Sequence, residues 1–136
     1  MLALDVGSRT IGQAISDPLG ITAQGLDTIR RRNKRADFGA LERTIRRFGV
    51  AEIVVGYPLR LSGSTSAQSE AVAAFAGELR KRFGLPVHLW DERLTSVEAN
   101  RLLREAEVSI KRRAAAVDRM AATLILQSFL DARSNR

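Results

Sequence analysis

The sequence has no cysteine, one histidine, one tryptophan and only three prolines. Without cysteine, the chain can form no disulfide bond, no thiolate nucleophile and no zinc–thiolate site. No apolar run approaches the roughly 18 residues that a membrane span needs. The first residues also lack the basic segment and apolar stretch of a secretory signal. We therefore expect a cytoplasmic protein with no membrane partner.

Arginine, by contrast, is abundant. The 22 basic side chains exceed the 15 acidic ones, giving a net charge of +7, and 19 of the 22 are arginine. Arginine binds phosphate through two parallel hydrogen bonds, which lysine cannot do. Two clusters are the clearest candidates for contact with a polyanion such as nucleic acid: Arg30, Arg31, Arg32, Lys34 and Arg35, and then Lys111, Arg112 and Arg113. Solvated loops and helix ends are the alternative explanation.

The order of predicted elements indicates an α/β fold. A hairpin of strands over 2–6 and 11–15 is followed by a third strand over 21–29 and a basic loop over 30–36. Strands over 52–56 and 86–90 then alternate with helices over 37–48, 67–83, 95–105 and 114–132, with Asp37 as the predicted cap of the first helix and 108–113 as a basic connector. A three-strand antiparallel meander plus two parallel strands predicts a mixed sheet with flanking helices. We expect one domain over residues 1–136.

An acid, Asp5, interrupts the first apolar strand. Because side chains alternate along a strand, Asp5 shares its face with the small residues Ala3 and Gly7. A buried carboxylate is costly unless it is paired or binds a metal. Hydrogen bonding to backbone amides in the turn before Gly7 is the alternative.

Two further acidic positions point to the same place. Asp91 and Glu92 directly follow the strand over 86–90, and the carboxyl ends of parallel strands gather at one edge of a sheet. Asp118 lies on the apolar stripe of the last helix, at helical spacing from Ala122 and Ile125. An ordinary turn for the acidic pair, and a dipole-stabilised first helical turn for Asp118, are the alternatives.

Three carboxylates at one edge, in a chain with cationic loops, suggest hard divalent ions. Mg²⁺ and Mn²⁺ prefer oxygen ligands. Two such ions about 4 Å apart can activate a water and stabilise the leaving oxygen of a phosphodiester. The pattern therefore favours a two-metal phosphodiesterase.

These residues resemble the YqgF proteins of the RNase H-like nuclease superfamily, also called RuvX. The resemblance covers nearly the whole chain. Its motifs, in order, are Leu4-Asp5-Val6-Gly7 with Ile11-Gly12, Ser16-Asp17-Pro18, Gly56-Tyr57-Pro58, Trp90-Asp91-Glu92-Arg93-Leu94-Thr95 and Val117-Asp118-Arg119-Met120-Ala121-Ala122. Two positions depart from the family pattern: Thr10 replaces a commonly basic residue, and Arg60 replaces a common asparagine.

The resemblance implies an RNase H-like fold with a five-stranded mixed sheet and a metal-dependent endonuclease activity. By position it implies Asp5, Glu92 and Asp118 as catalytic metal ligands, with Asp91 as a candidate fourth. Nucleic-acid contacts are expected from the two basic clusters and from Arg9, Arg60 and Arg93. The implied role is processing of the 5′ end of pre-16S ribosomal RNA during ribosome biogenesis, with pre-rRNA and ribosomal particles as partners.

Other functions stay open at this point. A Holliday junction resolvase would act on branched DNA, for which a homodimer is a natural assembly. A non-catalytic, ribosome-associated binding module would show the same charge but would not need the acids. A phosphotransferase related to actin and hexokinase needs a second lobe that this chain is too short to supply. His88 lies inside a predicted strand, which favours a structural role.

Overall fold

A computed structural model describes residues 1–58, 62–91 and 110–134, with the backbone alone described for 110–119. The strands are β1 (Leu2–Val6), β2 (Thr10–Ser16), β3 (Ala23–Arg30), β4 (Ile53–Tyr57) and β5 (Val87–Asp91), and the helices are α1 (Lys34–Phe48), α2 (Ala67–Phe83) and α3 (Ile110–Ser134). The helix predicted over 95–105 lies outside the described residues.

The strands form one five-stranded sheet in the order β3-β2-β1-β4-β5. The β1–β2 and β2–β3 pairs are antiparallel, whereas the β1–β4 and β4–β5 pairs are parallel. The predicted mixed sheet is therefore confirmed, and β1 lies at its centre. Strands β1, β4 and β5 all point toward the same edge, here named the carboxyl edge.

Alternation along β1 divides the core into two layers. Leu2, Leu4 and Val6 pack with α1 and α2 on one face of the sheet. Ala3 packs on the other face with Ala122 and Ile125 of α3, and all three side chains are fully buried. Because Ala3 of β1 and Ala122 of α3 are small, α3 can approach the sheet closely. Burial of a larger side chain such as Ile125 stabilises the fold by about 1.5–3 kcal/mol.

The start of α1 differs from the prediction. Asn33 caps the helix, because its side chain accepts a hydrogen bond from the Ala36 backbone N–H at 2.9 Å. Asp37 is therefore not the cap; it lies in the first turn and is 3% exposed. Asparagine is as good a cap as aspartate, so cap preference alone does not favour Asp37 over Asn33. The ends of α1 and α2 at left-handed Gly49 and Gly84 are as expected.

The last helix begins earlier than predicted, at Ile110 instead of residue 114. The predicted connector over 108–113 is thus wrong from Ile110 onward, because alanines after Arg113 and apolar residues before Lys111 allow the helix to continue through the basic cluster. Asp118 consequently lies in the third turn of α3, too far from the helix start for a dipole effect to explain it. None of the helices in the described ranges has the length and apolarity of a membrane span.

Candidate active site at the carboxyl edge of the sheet

Asp5 is the penultimate residue of the central strand. Strand alternation places it on the same face as Ala3, toward α3, and its side chain is half-buried. In the antiparallel neighbour β2 the residue opposite Asp5 is Gly12. In the parallel neighbour β4 the register pairs Leu4 with Val55, so Gly56 follows at the level of Asp5. A carboxylate flanked by glycine on both neighbouring strands has no side chain from those two strands beside it.

The row of residues that crosses the sheet at the level of Asp5 continues from Gly12 and Gly56 into β5. Gly56 pairs with Trp90 of β5, whose indole N–H donates a hydrogen bond to the Ser128 hydroxyl of α3 at 3.2 Å. The Trp90 ring also meets Phe129 edge-on, with centroids 5.4 Å apart. Trp90 therefore packs between the sheet and α3 and fixes the helix against the strand that precedes the Asp91–Glu92 pair.

The structure places the other predicted metal ligands as follows. Asp91 is the last residue of β5 and alternates with Val87, which packs in the layer of α1 and α2, on the face opposite Asp5. Asp118 lies on α3 one turn before the fully buried Ala122. Glu92 and the side chain of Asp118 are outside the described part of the chain.

The direction of α3 brings Asp118 toward the carboxyl edge. The far end of the helix is tied to the opposite edge, where Arg133 hydrogen-bonds Glu52 immediately before β4. Asp118 precedes Arg133 by about 22 Å along the helix axis, so it lies toward the end of the sheet that carries Asp5. The backbone thus supports a common location for Asp5 and Asp118.

The predicted basic residues lie on several different elements. Arg9 in the β1–β2 connector, Arg30 at the end of β3, Arg32 and Arg35 are exposed, whereas Lys34 pairs with Glu78 at 2.6 Å. Lys111, Arg112 and Arg113 lie in the first turn of α3. Arg60 and Arg93 lie outside the described residues.

Arg31 is held in place by the protein itself. Its guanidinium donates one hydrogen bond to the Gly7 carbonyl at 2.7 Å and another to the buried Asp37 carboxylate at 3.3 Å. Asp37 also accepts the Arg32 backbone N–H at 3.0 Å. The buried Asp37 thereby anchors the basic segment to the residue that follows β1. This role of Asp37 was not predicted from the sequence. The feature that could have indicated it is a single acid directly after a run of cations.

The opposite edge of the sheet holds a second charged cluster. Glu52 accepts hydrogen bonds from both terminal nitrogens of Arg133 and pairs with the His88 ring at 2.5 Å. The Arg133 hydrogen bonds, followed by the His88 contact, lower the pKa of Glu52 from 4.5 to about 2. His88 also packs on Phe129. Its place in this cluster, far from Asp5, agrees with the structural role expected for it.

Replacing Glu52 by glutamine is expected to lower the free energy of unfolding by about 1 kcal/mol at neutral pH. Because the pKa of Glu52 is depressed in the folded state, its contribution is complete above about pH 4.5 and declines as the pH falls toward 2. Urea unfolding of both proteins at neutral pH and at about pH 3 measures this difference. The matched control is Glu42→Gln, which breaks an exposed pair with Arg46 on α1. A wild-type advantage that did not shrink in acid would contradict the assignment.

Comparison with known proteins decides the family. The family model described as "RuvX: Holliday junction resolvase" matches residues 1–132. The chain belongs to the RuvX family. RuvX relatives from Koribacter versatilis and Moorella thermoacetica are 62% and 57% identical over 133 and 131 residues, covering 98% and 96% of this chain and 87% and 94% of theirs. Both bear the name "Putative pre-16S rRNA nuclease".

Solved structures agree on the fold of this RuvX-family chain. The Thermus thermophilus RuvC structure gives a TM-score of 0.57 at 15% identity, covering 99% of this chain and 97% of that one. RuvC from the same organism, in complex with a Holliday junction substrate, gives 0.59 at 15% identity, with coverages of 98% and 96%. The RNase H-like fold predicted from the sequence is confirmed.

Proposed function

We propose that this RuvX-family chain is a cytoplasmic, divalent-metal-dependent endonuclease, one domain over residues 1–136, that hydrolyses phosphodiester bonds at the 5′ end of pre-16S rRNA. The observation that carries the proposal is the position of Asp5, a half-buried acid on the central strand with glycine on both neighbouring strands. A relative named "Putative pre-16S rRNA nuclease" is 62% identical to the chain.

The donor set fits a hard divalent cation. Among the described residues no three acids or histidines lie close enough together to hold a metal, so Asp5 needs partners from elsewhere in the chain. The partners we propose are Asp118, toward the same edge on α3, and Glu92, just after β5. Asp91, at the end of β5 on the opposite face of the sheet, is the candidate fourth ligand. Mg²⁺ or Mn²⁺ held by these carboxylates would activate a water and neutralise charge on the phosphate.

The chain itself supplies position and charge. The β1–β2 and β1–β4 pairings fix the Asp5 backbone, while Gly12 and Gly56 leave room for a phosphate beside its carboxylate. Arg9, in the β1–β2 connector, and Arg30, at the end of β3, are exposed and are suited to hold the flanking phosphates. Positive charge near the edge also attracts the polyanionic substrate before any specific contact forms.

A direct test compares cleavage of a labelled pre-16S 5′ leader RNA with cleavage of a four-way DNA junction. We expect the purified protein to cut the RNA with Mg²⁺ or Mn²⁺ and to stop cutting when EDTA removes the metal. Preferential cleavage of the junction would replace the proposed substrate with branched DNA. Cleavage of neither, with binding of both, would leave a non-catalytic binding module. Ribosomal particles as partners and a homodimer stay predictions that the same preparations test by co-sedimentation and light scattering.

A further inference from the structure

A cavity of about 580 Å³ opens at the carboxyl edge on the face opposite Asp5. Its apolar floor is made by three buried side chains, Val6 of β1 and Val72 and Phe75 of α2. Its rim carries Ser8, Arg31 and Gln68. A cavity of this size with an apolar floor and a few polar groups is typical of a site for a flat organic ring.

The polar rim offers hydrogen-bonding groups that have no partner in the described part of the chain. Among the residues that the structure describes, neither the Ser8 hydroxyl nor the Gln68 amide has a hydrogen-bond partner, and both are exposed. A hydroxyl and an amide each donate and accept, as the edges of all nucleobases require. Ser8 follows directly after Gly7, so this rim is continuous with the strand that carries Asp5.

The third rim residue is held in place. Arg31 is fixed by its hydrogen bonds to Gly7 and to buried Asp37, and its guanidinium lies over the Phe75 ring, 5.4 Å from the centroid. A guanidinium plane held against an aromatic ring presents a rigid surface on which a base can stack. Little conformational entropy is lost on binding, because the ion pair and the ring contact already order the side chain.

We propose that this cavity, here named the base pocket, receives one unpaired nucleobase of the nucleic acid that crosses the carboxyl edge. Gly7, at its rim, lies two residues beyond Asp5, about 7 Å along a strand, which is about the length of one nucleotide. A phosphate beside Asp5 therefore leaves a neighbouring base within reach of the pocket. The preferred substrate is accordingly single-stranded or locally unpaired next to the scissile bond, and a continuous duplex cannot fill the pocket.

This inference rests on the proposed nucleic-acid substrate, but it is tested by binding, independently of cleavage. The probe is a set of short single-stranded RNAs from the leader sequence, each with one abasic position, titrated against protein in EDTA and followed by fluorescence polarisation. Ala71 lines the pocket and is exposed on α2, so Ala71→Leu blocks the pocket with little risk to folding. Gly77→Leu, further along the same helix at an exposed position where an added side chain meets open space, is the matched control.

We expect one abasic position to weaken binding of wild type and Gly77→Leu by about tenfold, the effect of losing one stacked base. Ala71→Leu should bind the intact RNA about tenfold more weakly, and the same abasic position should then cost it nothing more. Gln68→Ala should show a smaller loss of the same kind. Additive effects of Ala71→Leu and the abasic position, or no abasic position that matters, would overturn the base pocket. Base-dependent binding without cleavage would overturn the nuclease and leave the pocket standing.

Discussion

Replacing Asp5 by asparagine is expected to reduce cleavage of the pre-16S leader about a thousandfold while the protein stays folded. The amide keeps the shape of the side chain but removes its negative charge. In the proposed site that charge would hold a divalent cation, so the cation and its stabilisation of the reacting phosphate would be lost. Single-turnover cleavage with excess protein measures the chemical step directly. Far-UV circular dichroism and thermal melting show whether the sheet is intact.

The control for Asp5→Asn is Asp131→Asn, which neutralises an exposed acid near the other end of α3. This variant should cut at the wild-type rate. Binding of the leader RNA in EDTA should be unchanged or tighter for Asp5→Asn, because a negative charge near the phosphate has been removed. Equal cleavage by Asp5→Asn and wild type would remove Asp5 from the reaction.

Replacing Asp37 by alanine is expected to lower the free energy of unfolding by about 3 kcal/mol. The carboxylate is buried, and it holds both the Arg31 guanidinium and the Arg32 backbone N–H. Its removal leaves a half-buried guanidinium without its counter-ion and a backbone donor without its acceptor. For a chain of this size the melting temperature should fall by about 10 °C.

Asp37→Asn separates the two contributions, because the amide oxygen can still accept from Arg32 but carries no charge for Arg31. Its stability should lie between those of wild type and Asp37→Ala, as urea unfolding would show. At a temperature where all three proteins are folded, Asp37→Ala should also bind RNA more weakly, since Arg31 no longer holds the Gly7 carbonyl. An Asp37→Ala protein as stable as wild type would show that the buried pair contributes nothing.

The central strand shows how much the sequence could predict. Alternation in residues 2–6 and the glycines after them were enough to predict the hairpin, the two faces of β1 and the exceptional position of Asp5, all within a short stretch. The residues beside Asp5 on the neighbouring strands were harder to predict from the sequence. Gly12 and Gly56 stood in recognisable motifs, but only the register of β1 with β2 and β4 sets them on either side of the acid.

Helix starts were harder to predict than helix ends. Gly49 and Gly84 end α1 and α2 where expected, because few residues other than glycine adopt a left-handed conformation easily. By contrast, Asn33 and Asp37 are both good caps, and only the packing of Asp37 against Arg31 decides between them. The roles of Arg31 and of the pocket above Phe75 arise from contacts between distant segments, which local patterns do not encode.

The position of β1 at the centre of the sheet has a consequence for the timing of folding. Its pairing with β2 closes a loop of a few residues and can form within microseconds. Its pairing with β4 and its packing against α3 join segments about 50 and 120 residues apart, and such distant contacts form late. Asp5 is thus among the first residues to enter a hairpin and among the last to receive its complete surroundings. In a partly folded chain, Asp5 therefore stands in a formed hairpin before β4 and α3 have packed beside it.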